Sequence, residues 1–175
     1  MGIGKRAIAV WGASALGALF ALGLLLSCGK PPAGGGEFTL IADSMGEVPM
    51  GPDALKLDNL ANASDGSMET RWTTVVNMEP GFFIEMEFDR PRKISGLVLN
   101  SEPSPKDFPR GFVVEVSRDG KDWEEAATGG PKATKKGITT INFDHPRTVR
   151  YIMITLNKPA GFWWSIYELE VKYAE

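Results

Sequence analysis

Residues 62 to 72 read Asn-Ala-Ser-Asp-Gly-Ser-Met-Glu-Thr-Arg-Trp, which places an oxygen-bearing side chain every two or three positions around the turn Asp65-Gly66. Carboxylate, hydroxyl and carbonyl oxygens at that spacing suit a hard cation wrapped by a short loop. Far along the chain, Trp164-Ser165-Ile166-Tyr167-Glu168 supplies another carboxylate. An ion shared by the two segments would tie the first loop of a domain to its last strand and leave the remaining surface free for binding. Covalent chemistry has little material. His145 is the only histidine and Cys28 the only cysteine, and neither a Gly-x-Ser-x-Gly elbow nor a phosphate-cradling glycine loop is present. Glu85 and Glu87, Glu124 and Glu125, and Glu168 and Glu170 fall close together without marking out an acid and base. The expectation is a recognition module and not an enzyme.

These groups need elements to hold them, and the patterning after residue 60 is that of short strands bounded by Gly, Pro, Asp and Asn. Residues 82–88 put Ile84, Met86 and Phe88 on one face and Glu85 and Glu87 on the other. A turn over 89–92 leads to an apolar strand at 94–99. Residues 111–117 point Phe112, Val114 and Val116 inward, and Asp119-Gly120 turns the chain back as a hairpin toward Trp123. Segments 138–143, 150–156 and 166–173 complete at least seven predicted strands, with His145 and Pro146 in the last connecting loop. The spacing predicts an all-β sandwich, with Trp72, Trp123 and Trp164 in its core.

The start of the chain reads as an address. Lys5-Arg6 precede an apolar run from Ala7 to Leu26, with no acidic residue before Glu37. The run is long enough to be weighed as a membrane span, yet it ends in Leu25-Leu26-Ser27-Cys28, which resembles the bacterial lipobox. Lipidation explains a lone cysteine in an exported chain, and several acyl chains give stable attachment where one does not. The expected organisation is a signal peptide over 1–27, a lipidated Cys28 and Gly/Pro-rich spacer over 28–38, and one domain over 39–175. Gly29 after the cysteine favours the outer membrane where two membranes exist. Without Lys5 and Arg6, 17 basic residues face 22 acidic ones, about −5, which argues against a nucleic-acid partner.

Four landmarks in order carry a family resemblance: Asp65-Gly66-x-x-x-Thr70-Arg71-Trp72; Phe108-Pro109-Arg110-Gly111-Phe112 running into Ser117-x-Asp119-Gly120-x-x-Trp123; Arg150-Tyr151-Ile152; and Trp164-Ser165-Ile166-Tyr167-Glu168-Leu169. Together they are similar to the discoidin, or factor V/VIII type C, family, which includes the family 32 carbohydrate-binding modules. The resemblance spans roughly Leu40 to Tyr173. It implies a galactose-binding-domain-like jelly-roll β-sandwich that meets its ligands with loops at one end. It also implies a structural Ca²⁺ held by the Asn62 carbonyl, Asp65, Ser67, Thr70, the Tyr167 carbonyl and Glu168. Ser67 departs from the family's Asp or Asn, since a hydroxyl is a weaker ligand.

Phe162 and Trp163, after Lys158-Pro159-Ala160-Gly161, are placed to project from the sandwich as a platform for the apolar face of a sugar, with Asn77, Asn100, Lys106 and Arg110 as polar partners. The alternative is that these two aromatics close the bottom of the core. Family sugar binders place an Arg and a His in the pocket, and His145 lies elsewhere. The expected function is a monomeric, membrane-anchored, non-catalytic module that binds glycan or cell-envelope polysaccharide. The rival is an adhesion module with another envelope protein as its partner.

Overall fold

The computed structural model describes residues 38–43 and 57–175, so the expected signal peptide, Cys28 and the spacer up to residue 37 lie outside the described residues. Nine strands follow in order: β1 (Phe38–Asp43), β2 (Trp72–Thr73), β3 (Phe83–Asn100), β4 (Phe112–Ser117), β5 (Trp123–Gly129), β6 (Thr134–Lys135), β7 (Ile138–Leu156), β8 (Ser165–Ile166) and β9 (Glu168–Tyr173). A 3-10 helix over Leu57–Ala63 leads into the oxygen-rich loop. No helix among the described residues is long and apolar enough to cross a membrane.

Two long strands, β3 and β7, make the sandwich by running antiparallel through both of its layers. Residues 83–87 pair with 151–155 in a layer ordered β1, β3, β7, β4, β5. Residues 96–100 pair with 138–142 in a second layer, where β9 flanks β3 and β6 flanks β7. Register breaks between Glu87 and Arg92, and again between Ile94 and Gly96, mark where the pair bends from one layer to the other. Alternation puts Ile84, Met86, Val114, Ile152 and Ile154 on the inner side of the first layer, and Leu97, Leu99, Ile141 and Leu169 on that of the second. Burying such side chains contributes about 1.5–3 kcal/mol each.

Three expectations need correction. The predicted turn over 89–92 is the bend within β3, and His145 and Pro146 lie within β7 rather than in a connecting loop. Trp123 is half-buried against Tyr151, with ring centres 6.5 Å apart, so it is a flank and not a core residue. The hairpin between β4 and β5 forms as expected, but over five residues from the pair Ser117–Trp123, with Gly120 at φ +75°. β1 was not foreseen, and it begins at Phe38, the final residue of the expected spacer.

Close approach of the paired strands β3 and β7 shows at Gly96, beside their register break. A Cβ there would sit 2.2 Å from the Ile141 carbonyl oxygen. Trp72 and Trp164 close one end of the core edge to face, with ring centres 5.0 Å apart at 87°.

Candidate functional site

The oxygen-rich loop is ordered by its own side chains. Asp65 accepts from the Ser67 backbone N–H at 2.9 Å and from the Thr70 hydroxyl at 2.6 Å, while Ser67 Oγ accepts from the Glu69 N–H at 3.1 Å. Such Asx and Ser turns are what short polar side chains do near a tight bend. Glu168 opens β9 and reaches this loop. Burial raises its pKa, the Gly66 and Ser67 backbone N–H groups oppose that, and the Asp65 charge adds to it. The two carboxylates the sequence singled out therefore share one neighbourhood.

One oxygen of Glu168, Oε1, is buried without a hydrogen bond. An orphaned carboxylate oxygen beside a second carboxylate is a donor set that a hard cation completes, so the residues fit Ca²⁺. Among the described residues no three His, Cys, Asp or Glu side chains gather at one point. Any ion here therefore draws its remaining ligands from hydroxyls and carbonyls. Asn62 donates its side-chain amide to the Arg71 carbonyl at 3.2 Å, which ties the start of the loop to its end.

Arg71 joins this loop to a hollow of about 260 Å³ lined by Arg71, Asn77, Asp107, Gly161, Phe162 and Trp163. The Arg71 guanidinium donates to Ser104 Oγ at 2.9 Å and to the Tyr167 hydroxyl at 3.2 Å, and lies 3.8 Å from Asp107. Phe162 and Trp163 are each 40% exposed, so they do not close the core. Lys106 lies 5.7 Å and Arg110 5.3 Å from the Phe162 ring centre, and Arg71 lies 5.8 Å from that of Trp163.

Backbone bonds fasten the aromatic loop at several points. Met78 N–H donates to the Phe162 carbonyl, Ala160 N–H to Met78, Thr74 N–H to Trp164 and Ser165 N–H to Asp107, at 2.9–3.0 Å. The segment that receives these bonds turns at Val75, whose φ of +46° is unusual for a β-branched residue. That turn delivers Asn77 to the hollow.

Of the residues expected to meet a ligand, Phe162, Trp163 and Asn77 line the hollow, and Lys106 and Arg110 flank it. Asn100 does not join them: it pairs with Glu168, and its side-chain oxygen accepts from the Glu102 N–H at 2.9 Å. Arg71 and Asp107 were not foreseen as lining residues. Arg71 stands in a landmark motif, which was a usable signal, whereas nothing periodic marks Asp107.

A larger hollow of about 590 Å³ lies at the opposite end of β4, beside His145 and Arg147. Several of its charges already have partners. Arg147 meets Glu124 at 2.6 Å and holds Asp144 below the usual carboxylate range, while the Asp122 and Lys121 backbone N–H groups do the same for Asp119. No exposed large aromatic lines it, so size alone does not make it the better binding site.

With this geometry in hand, comparison is decisive on ancestry: residues 53–169 match the F5/8 type C domain. The chain belongs to the F5/8 type C domain family. No curated protein matches it. This F5/8 type C domain is similar to the solved structure of CBM32-3 from a family 31 glycoside hydrolase of Clostridium perfringens, at 18% identity and TM-score 0.58, covering 79% of this chain and 91% of that one. It is similar to the CBM32 of AlyQ in complex with 4,5-unsaturated mannuronic acid, at 22% identity and TM-score 0.57 over 79% and 99%. The family 32 module of C. perfringens NanJ in complex with galactose gives 19% and 0.53 over 77% and 90%. At such identities the likeness establishes the shared sandwich fold.

Proposed function

We propose that the chain is a non-catalytic glycan-binding module, tethered to the bacterial envelope through a lipidated Cys28. The observation that carries the binding reading is the pair Phe162 and Trp163, exposed beside a hollow with guanidinium, amide and carboxylate groups on its walls. A sugar ring offers an apolar carbon–hydrogen face to such a platform, while its hydroxyls need polar partners of the kind that Asn77, Asp107 and Arg71 provide. The structural neighbours solved in complex with galactose and with 4,5-unsaturated mannuronic acid lend support, since they share the sandwich.

Calcium belongs to this reading as a structural ion. The Asn62 carbonyl, Asp65, Ser67, Thr70, the Tyr167 carbonyl and Glu168 would hold it, and bound there it would supply positive charge that favours the ionised form of Glu168. Thr70 adjoins Arg71, and the Tyr167 hydroxyl meets Arg71, so order in the ion loop transmits directly to the wall of the hollow.

Glycan-array screening of the purified chain, followed by calorimetric titration of the hits, tests the proposal. Binding that vanishes in Trp163→Ala is expected. Flat responses across neutral, acidic and cell-wall sugars, with capture of an envelope protein insensitive to added sugars, would transfer the surface to the adhesion reading.

A further inference from the structure

Charge around the aromatic pair runs opposite to that of the chain. Over the full sequence 22 acidic residues outnumber 19 basic ones. Beside Phe162 and Trp163, three cations approach the rings at 5.3–5.8 Å: Lys106, Arg110 and Arg71. The carboxylate that lines the hollow is Asp107, and its charge is already engaged. It accepts from the Ser165 hydroxyl at 2.9 Å, lies 3.8 Å from Arg71 and is also felt by Arg110. Among the described residues neither Lys106 nor Arg110 has a carboxylate within ion-pair distance.

The cations are also aimed. Arg110 is locked by donating to the Phe108 carbonyl at 2.7 Å and the Lys106 carbonyl at 2.8 Å, and it stacks on Phe108 at 3.6 Å. Lys106, exposed, keeps its ammonium over the edge of the hollow. A neutral sugar needs hydrogen-bonding partners around its ring but gains nothing from a net charge there. A surplus of two positive charges next to a stacking platform discriminates instead for a ring that bears an anion.

Resting on the glycan-binding reading above, we propose that this site takes an acidic glycan, a chain containing uronic acid. Its ring face lies on the Phe162–Trp163 pair and its carboxylate faces Lys106 and Arg110.

Calorimetric titration of the full chain with a galacturonic acid tetrasaccharide and with its methyl ester compares the same rings with and without charge. Calcium is held at one equivalent of protein, so that bridging by the oligouronate itself does not register. The acid is expected to bind about tenfold more tightly at low salt, with the gap closing as sodium chloride is raised. Lys106→Gln narrows the acid-to-ester ratio, and Lys106→Arg keeps it. Equal affinity for acid and ester, both lost in Trp163→Ala, overturns the acidic preference and leaves the glycan reading standing. An acid preference unmoved by Lys106→Gln and Trp163→Ala overturns the placement at this rim. Binding of neither tetrasaccharide, while the soluble headgroup glycerophosphoglycerol binds, overturns both readings in favour of a lipid surface.

Discussion

Trp163 and Trp164 are neighbours in the chain and face different worlds. Trp164 is 0% exposed and packs edge to face on Trp72, whereas Trp163 is 40% exposed on the rim. Trp164→Ala is expected to cost about 3–5 kcal/mol, because the hole it leaves cannot collapse in a sandwich end. Trp163→Ala is expected to stay within about 1 kcal/mol of the parent and yet to lose glycan binding. Urea unfolding paired with calorimetric titration of each variant separates the two, and a Trp163→Ala protein that binds as before would remove the platform from the site. At this scale the sequence was informative where polar residues recur at fixed offsets. Asp65 and Glu168 were identifiable as neighbours across about a hundred residues. Asp107 was not, since its role depends on where Ser165 and Arg71 arrive in space.

The strands β3 and β7 show why elements were harder to delimit than to detect. Asp89-Arg90-Pro91-Arg92 and Asp144-His145-Pro146-Arg147 both carry turn chemistry, with Asp at the start and Pro within. Each does redirect the chain, but by bending a strand that stays in its sheet, so one long element reads as two short ones. The alternating burial on either side of the bends follows the sequence pattern closely. β1 escaped notice because a strand at the edge of a sheet buries little, and its Ile41 is exposed. The bend also sets a steric demand. Gly96→Ala would drive a methyl group against the Ile141 carbonyl oxygen, a backbone atom that cannot step aside. A loss of about 1–3 kcal/mol is expected from such overpacking, read as a lower denaturation midpoint with an unchanged slope. An unaltered midpoint would mean that β3 and β7 approach each other less closely at this break than described.

For the molecule as a whole, stability should respond jointly to pH and calcium. Burial holds the Glu168 pKa above its ordinary 4.5, so without the ion the folded chain binds that proton more firmly than the unfolded chain does. This contribution favours the fold at low pH and is lost as pH rises from 4.5 through the elevated value. Calcium held at the proposed site would reverse the preference by favouring the ionised form, and protons would then compete with it. Calcium at 100 times its dissociation constant is expected to add about 2.7 kcal/mol at pH 7, with less at pH 4.5 and none in Glu168→Gln. Glu85, whose pKa is also raised by burial, is common to parent and variant, so their difference isolates Glu168. Melting curves in calcium and in chelator at both pH values check this, and a calcium increment equal in parent and Glu168→Gln would dismiss the ion from the loop. The sandwich itself was legible, since seven short apolar-rich segments bounded by turn residues leave few other architectures. The assembly of the hollow was not, because its walls come from loops whose meeting is fixed by backbone bonds to residues 74–78 and to Asp107. Those same bonds bear on how the surface recognises anything. A loop already immobilised before contact surrenders little conformational entropy at the moment of capture. The module should therefore behave as a preorganised receptor, distinguishing ligands by how long they stay and not by how far it must rearrange to admit them.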